Sequence, residues 1–323
     1  MGSTNPGDYS TDVALTNVAI ERRAPQFIAR ELFPVIPVPK LNGNKVWRRD
    51  PKSDKFRDQD STRAAGAEPH ANYSGTPDQP VTFDCVDHSL QDLIPDEMEA
   101  NADVAVRPEI DKTNELMDKL FLSHERTVKS IIDTALTSRV TTVSTAWNNA
   151  SGTPVTDISA QFYRIEDGIG ASPNVLVVDF RVLRAIMHNA ETKDIAKQVL
   201  RPEEYLNGLG AMAANLASIL GLDRVLVANG VYYNTAKKGQ DASLSRVWGT
   251  DCYLAYVEAP SLSYAGLGLT AQPATGTGSI VSGMSIERDY VAIRKSTRIH
   301  SHWYWDALVL NAGAGWKFET TLE

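Results

Sequence analysis

Residues 51–75 read PKSDKFRDQDSTRAAGAEPHANYSG, a stretch in which only Phe56 and Tyr73 are large apolar side chains. Strand-like runs flank it, NKVWRRD at 44–50 and PVTFDCV at 80–86. In the second run Val81, Phe83 and Cys85 alternate with Thr82 and Asp84, the two-residue period of a half-buried strand. The two runs therefore read as the arms of a long hairpin with 51–75 at its tip. Segments longer than about 15 residues without structure of their own are uncommon inside compact domains, and are either functional or disordered. Here Arg48, Arg49, Lys52, Lys55 and Arg57 interleave with Asp50, Asp54, Asp58 and Asp60. That pattern suits a solvated loop, or a limb that docks on a neighbouring subunit through matched charges. Ordering the limb costs about 1–2 kcal/mol per residue in backbone entropy, so in isolation it is expected to be mobile.

Outside this excursion the composition is that of an ordinary folded protein. The chain has 323 residues, 42% hydrophobic and 22% charged, enough for a sizeable core or two domains. No apolar run reaches membrane-spanning length, and MGSTNPGDYSTDVALTN at the N-terminus lacks the basic and apolar regions of a signal peptide. Cys85 and Cys252 are the only cysteines, too few for a disulfide framework or a cysteine zinc site. Together these point to a soluble protein of a reducing cytoplasm. A net charge of −8 argues against a dedicated nucleic-acid binder, which needs clustered Lys and Arg, but not against a wall that encloses nucleic acid.

Upstream of the hairpin, ALTNVAIERRAPQFIARELFPVIPVPK predicts a short helix over 13–23, then a second starting at Pro25 and ending near Leu32. Pro34, Pro37 and Pro39 force an extended segment that donates few hydrogen bonds, so it must lie along something else. Downstream, 107–136 is the clearest helix. Ile110, Met117, Phe121, Val128, Ile131 and Ala135 follow 3.6-residue spacing, and Pro108 stands near the start. Its 28 or so residues make a rod of roughly 40 Å with one apolar stripe: a spine packed along one side. The middle alternates: a helix over 157–170 with Ile158, Phe162, Ile165 and Ile169 on one face, a strand at 174–179, helices at 180–189 and 211–221, and strands at 224–229 and 252–259. Helices between fully apolar strands indicate an α/β subdomain with a covered sheet. GLGLTAQPATGTGSIVSG at 266–283 reads as a loop, and Tyr290 to Ile299 as one long strand.

A search for catalytic chemistry finds little. There is no GxxxxGK[ST] loop, no GxSxG and no HExxH, and GLGLTA lacks the spacing of a dinucleotide turn. Adjacent carboxylates at Asp96/Glu97, Glu166/Asp167 and Glu203/Glu204 point apart on a helix or strand and read as solvated surface. Of the six histidines only His300 and His302 are close; on a strand they share a face, but no further ligand is apparent nearby, and the expectation is no metal and no cofactor. Trp303 and Trp305 read as packing anchors rather than a base-stacking platform, because no basic groove accompanies them.

The order of parts is a helical arm, a proline-rich extended segment, a long polar hairpin, one spine helix, an α/β middle and long C-terminal strands. In that order the chain resembles the HK97-fold major capsid proteins of tailed bacteriophages, an α+β fold. The closest local likenesses are FIARELFPVIPVPKLNGNKVWRRD, SLQDLIPDEMEANAD leading into the spine, and ISAQFYRIEDGIGASPNVLVV. The resemblance covers the chain from about Asp12 onward and rests on architecture and wording, not on a catalytic motif.

What the resemblance implies is an N-terminal arm over 1–40 and an extension loop over 41–94. A peripheral domain would take 95–155 and 284–323, and an axial domain 156–283. Subunits of this family form hexamers and pentamers of an icosahedral shell, built in the host cytoplasm, which holds double-stranded DNA pumped in through a portal. Each extension loop lies over an adjacent subunit, which would explain the polar excursion. Arg22 and Arg23 of the arm and Arg48, Arg49, Lys52, Asp54, Lys55, Arg57, Asp58 and Asp60 of the loop are then the candidate inter-subunit contacts. Ile110, Met117, Phe121, Val128 and Ile131 are the candidate spine packing. With about a dozen residues before the first helix, a separate scaffolding protein is expected rather than a fused one, and a decoration protein is a further partner class. An isopeptide cross-link from Lys52 or Lys55, known in one family member, has no signal in the sequence. An encapsulin-like compartment that holds protein cargo is the alternative with the same fold, and a soluble enzyme with the hairpin as a lid lacks convergent catalytic groups.

Overall fold

The structure, a computed structural model, describes residues 10–22, 27–48, 61–70, 79–101, 107–199, 208–233, 243–274, 283–319 and 321–322. The chain opens with β1 (Ser10–Thr11), α1 (Val13–Glu21), α2 (Ala29–Leu32) and β2 (Val35–Val38), followed by β3 (Asn42–Arg48) and β4 (Gln79–Asp84). Next come β5 (Val86–Pro95), α3 (Asp96–Ala100) and α4 (Pro108–Ala135). The middle holds β6 (Val140–Thr142), α5 (Pro154–Ser159), α6 (Phe162–Ile169), β7 (Val175–Asp179), α7 (Phe180–His188), α8 (Ala190–Val199), α9 (Gly208–Leu220) and β8 (Arg224–Ala228). Then follow β9 (Val231–Tyr233), β10 (Leu244–Arg246), β11 (Cys252–Ala255), β12 (Ser263–Tyr264) and β13 (Gly268–Pro273). The chain finishes with β14 (Met284–Val291), β15 (Ser296–Val309) and β16 (Gly315–Glu319).

Local chemistry fixes the helix ends. Asp12 caps α1 by accepting the Leu15 N–H at 3.0 Å. Pro108 occupies the first turn of α4, where its missing N–H costs nothing. Asp179 ends β7 and caps α7 through the Arg181 N–H at 2.9 Å. Gly170 closes α6 in the left-handed region, φ 68°.

Along α4 the buried face runs Thr113, Leu116, Met117, Leu120, Phe121, His124, Glu125, Val128 and Ile132. Ile110 and Ile131 flank this stripe, half-buried against the same core. The helix packs on β15 and β5 and against α1 and α2. β15 is the organising strand. β14 pairs along one edge, from Met284↔Trp303 to Val291↔Ser296, while β5 covers the other from Val86↔Trp305 to Pro95↔Ser296. β13 pairs with the far end of β15, from Ala271↔Asp306 to Gly268↔Val309, and β2 pairs in parallel outside β13. Trp303 and Trp305 are buried and face α4, Trp303 meeting Phe121 edge to face at 5.4 Å. A second sheet has the order β6-β16-β11-β7-β8, with β7 buried at every position and β8 parallel to it. Helices α7 and α9 pack on β7 and β8, giving the covered α/β sheet.

Several segments differ from the sequence reading. The supposed loop at 266–283 contains β13, an interior strand. Its glycines serve close packing, since a Cβ on Gly268 would stand 2.4 Å from Cε1 of Phe33 and 2.6 Å from the Leu308 carbonyl. The single helix over 157–170 is two, because a tight turn (Gln161 N–H to Ile158 O, 3.1 Å) interrupts it while keeping Ile158, Ile165 and Ile169 on the buried side. Tyr290–Ile299 is a hairpin, not one strand. A short 3₁₀ turn at Ala292–Arg294 and a left-handed Lys295, φ 43°, let the two halves bond to each other. The helix expected from Pro25 is described only from Ala29, Pro25 itself lying outside the described residues. The strand expected over 252–259 stops at Ala255, and α8 has no counterpart in the sequence reading.

Candidate inter-subunit interface

The hairpin has a root with its own core. Val46 of β3 and Phe83 of β4 are buried with Cys85, Tyr264, Ile36, Val38, Leu269, Ala271 and Leu310 in a cluster separate from the main one. β3 is held on both sides, by β4 (Val46↔Val81, Arg48↔Gln79) and by β12 in parallel (Tyr264↔Arg48). Polar contacts close the base: Asp84 N–H to Asp306 Oδ2 at 2.9 Å, Cys85 N–H to the Leu41 carbonyl at 2.8 Å, and Cys85 S–H to the Ala271 carbonyl at 3.5 Å. Burial, with Asp306 and Asp84 nearby, pushes the Cys85 thiol up to about 12; burial raises Cys252 likewise. Both are packing thiols, not nucleophiles.

Beyond the root, the described part of the limb is residues 61–70. Residues 61–70 are all exposed, and their internal order is local: a turn closed by Ala67 N–H to the Ala64 carbonyl at 3.1 Å, and His70 Nε2 3.2 Å from the Thr62 carbonyl. Arg23, Arg49, Lys52, Asp54, Lys55, Arg57, Asp58 and Asp60 lie outside the described residues. Arg48 sits at the far end of β3, where the described limb begins.

The arm is fastened to its own chain. Arg22 forms a two-pronged pair with Asp118 on the spine, Nε to Oδ1 at 3.1 Å and Nη2 to Oδ2 at 2.8 Å, which raises its pKa. Both groups are about a third exposed, so the pair positions the arm more than it stabilises it. Further along, the Ile28 and Ala29 N–H groups donate to buried Glu125 at 3.2 and 2.7 Å. The proline-rich segment, expected to need a support, lies as β2 along β13, with Pro37 exposed on that edge strand.

Among the large apolar side chains that stand exposed are Val13 and Ile20 on α1, Val231, Tyr233 and Leu244 on β9 and β10, and Tyr290 with Ile293 at the β14–β15 turn. Ile293 is 98% exposed. Beside that turn, Asp96 of α3 accepts the Tyr290 hydroxyl at 2.7 Å and Met98 is also exposed. Isolated exposed apolar residues are ordinary, and only contiguous groups of them mark surfaces for another molecule.

The register of β14 against β15 corrects one expectation. His300 and His302 do share a face, and pairing places Glu287 directly opposite His300. Ligand atoms of Glu287, His300 and His302 all lie within 4.8 Å of one another, and Asp87 of β5 reaches His302 Nδ1 at 2.9 Å. The nearby ligand that the sequence did not reveal comes from the neighbouring strand, and only the pairing register could have disclosed it.

No protein-family model matches the chain, and no curated protein matches it in sequence. Solved structures do. A phage-related protein from Bordetella bronchiseptica is 20% identical with a TM-score of 0.71, over 97% of this chain and 98% of that one. The capsid structure of cyanophage P-SCSP1u follows at 13% identity and a TM-score of 0.55, over 98% and 92%. The SrpI encapsulin of Synechococcus elongatus is 13% identical with a TM-score of 0.52, over 96% and 95%. Likeness at this level of identity establishes the fold. The chain has the α+β, HK97-like fold.

Proposed function

We propose that this chain is the major capsid protein of a tailed bacteriophage, a structural subunit and not an enzyme, which assembles with copies of itself into an icosahedral shell around double-stranded DNA. The observation that carries the reading is the hairpin: a root locked into its own small core, and a limb whose described residues 61–70 are all exposed. A polar limb anchored at one end gains support only from another molecule. The exposed apolar groups on β9 and β10 and at the β14–β15 turn add surfaces for the same kind of partner.

In this reading residues 1–40 are the arm, 41–94 the extension loop, 95–155 with 284–323 the peripheral domain and 156–283 the axial domain. Arg48 and the limb charges from Arg49 to Asp60 meet a neighbour within hexamers and pentamers, and so does Arg23 of the arm; Arg22 has its partner Asp118 within the chain. A scaffolding protein, a portal and a decoration protein are the further partners, and assembly takes place in the bacterial cytoplasm. The negative net charge suits a wall that holds DNA without gripping it.

The encapsulin likeness supports a second reading, a compartment for protein cargo. Negative-stain microscopy of the purified full-length chain, alone and co-expressed with its scaffold, is the test. Regular closed shells are expected, and a stable monomer under all conditions would end both readings. Particle diameter and absorbance at 260 nm then separate a genome container from a cargo compartment.

A further inference from the structure

We infer that Glu287, His300 and His302 form a divalent transition-metal site suited to Zn²⁺, with Asp87 as the group that orients His302. The strand period sets His300 and His302 on one face of β15, and the antiparallel register brings Glu287 of β14 opposite His300. Among the described residues it is the one group of three potential ligands whose donor atoms converge, all within 4.8 Å.

The polar contacts at His302 single out a cation. Its Nδ1 lies 2.9 Å from Asp87 Oδ2, so the N–H on that nitrogen is spent on the carboxylate. The Nε2 lone pair is left facing Glu287 Oε2 at 3.5 Å. That Nε2 is buried and has no hydrogen-bond donor, and the His302 side chain as a whole is only 13% exposed. Two acceptors facing each other repel unless something positive lies between them. In a tetrahedral zinc site with bonds of 2.0–2.1 Å, neighbouring ligand atoms stand about 3.3 Å apart, close to the 3.5 Å between His302 Nε2 and Glu287 Oε2. A carboxylate donating through a histidine to the metal is the usual outer support of such sites. Two imidazoles and one carboxylate suit Zn²⁺ rather than Mg²⁺ or Ca²⁺, which prefer all-oxygen surroundings, and they leave a fourth position for water. The ion would tie β14 to β15, with β5 joined through Asp87. The competing account is a doubly protonated His302 bridging the two carboxylates.

The test is Zn²⁺ titration of the metal-free, full-length protein by calorimetry and equilibrium dialysis, with Mg²⁺ as the control ion. One Zn²⁺ per chain is expected, with a rise in melting temperature that Mg²⁺ does not produce. His300→Gln and Glu287→Gln should each weaken binding at least tenfold, and Asp87→Asn by about 10–100-fold, since it removes only the orienting group. Far-UV circular dichroism of each variant confirms that it is folded, and X-ray absorption of the wild-type complex should report two imidazole nitrogens. Absence of stoichiometric Zn²⁺ binding, or binding indifferent to all three substitutions in folded protein, overturns the site and leaves the protonated bridge. Equal binding of Mg²⁺ overturns it as well.

Discussion

The carboxylate of Glu125 accepts the indole N–H of Trp248, with both side chains fully buried. The same carboxylate receives the N–H groups of Ile28 and Ala29, so one spine residue joins the arm to the region before β11. Burial raises the pKa of this carboxyl, and the three N–H donors oppose the rise. Glu125→Ala strands three buried donors and leaves a cavity. We expect a loss of about 3–5 kcal/mol, read as a lower urea midpoint with an unchanged slope. A loss below 1 kcal/mol would mean the donors find water instead.

His124, the neighbouring residue, makes stability depend on pH. Burial, with Arg30 and His88 adding positive charge, holds its imidazole neutral down to about 3. The unfolded chain takes up that proton at about 6.5. The folded state's advantage is therefore complete above pH 6.5 and shrinks as pH falls, by at most about 1.4 kcal/mol per unit. Between pH 7 and 5 the wild type should lose about 2 kcal/mol more than His124→Gln, which keeps a polar group near Thr270 Oγ1. Parallel pH profiles for the two proteins would contradict the assignment.

Removing residues 54–72 takes away limb and spares root. Circular dichroism should report the wild-type fold, while electron microscopy should find no regular shells. Intact particles from the deletion would show that the limb is dispensable for assembly.

Phe121→Asp sets a buried carboxylate between Trp303 and Arg30, where the ring now packs edge-on and under the guanidinium at 5.6 Å. Arg30 offers partial compensation, yet the lost aromatic packing and the desolvated carboxylate should cost several kcal/mol. Thermal denaturation measures this directly, and an unchanged melting temperature would rule out the assigned face.

Elements whose sequence pattern and burial agree were legible from residues alone. The spine, β7, α7 and the alternating Val81, Phe83 and Cys85 all report their own surroundings, because each side chain's environment repeats with the period of its element. What could not be read depends on partners remote in sequence. β13 looks like a linker because Gly266 and Gly268 carry no side chain to signal burial, yet Phe33 and Tyr264 occupy the very space a Cβ would need. Glu125 resembles any surface glutamate until Trp248 and Ala29 close around it. Glu287 meets His300 only through a register set by the turn at Lys295. Of the hairpin, the sequence indicated the two strands of its root, which pair as β3 and β4; the Arg22 contact with Asp118, 96 positions away, had no local signal.

Two separate cores share one strand pair, β13 with β15. Tension drawn along the limb is received first by the nine buried side chains from Ile36 to Leu310, which form a compact knot beside the main body. Leu269 and Ala271 of that knot lie on β13, which is bonded to β15, so a pull passes from it straight into the strand that carries Trp303 and Trp305. The small core acts as a buttress that hands load to the large one.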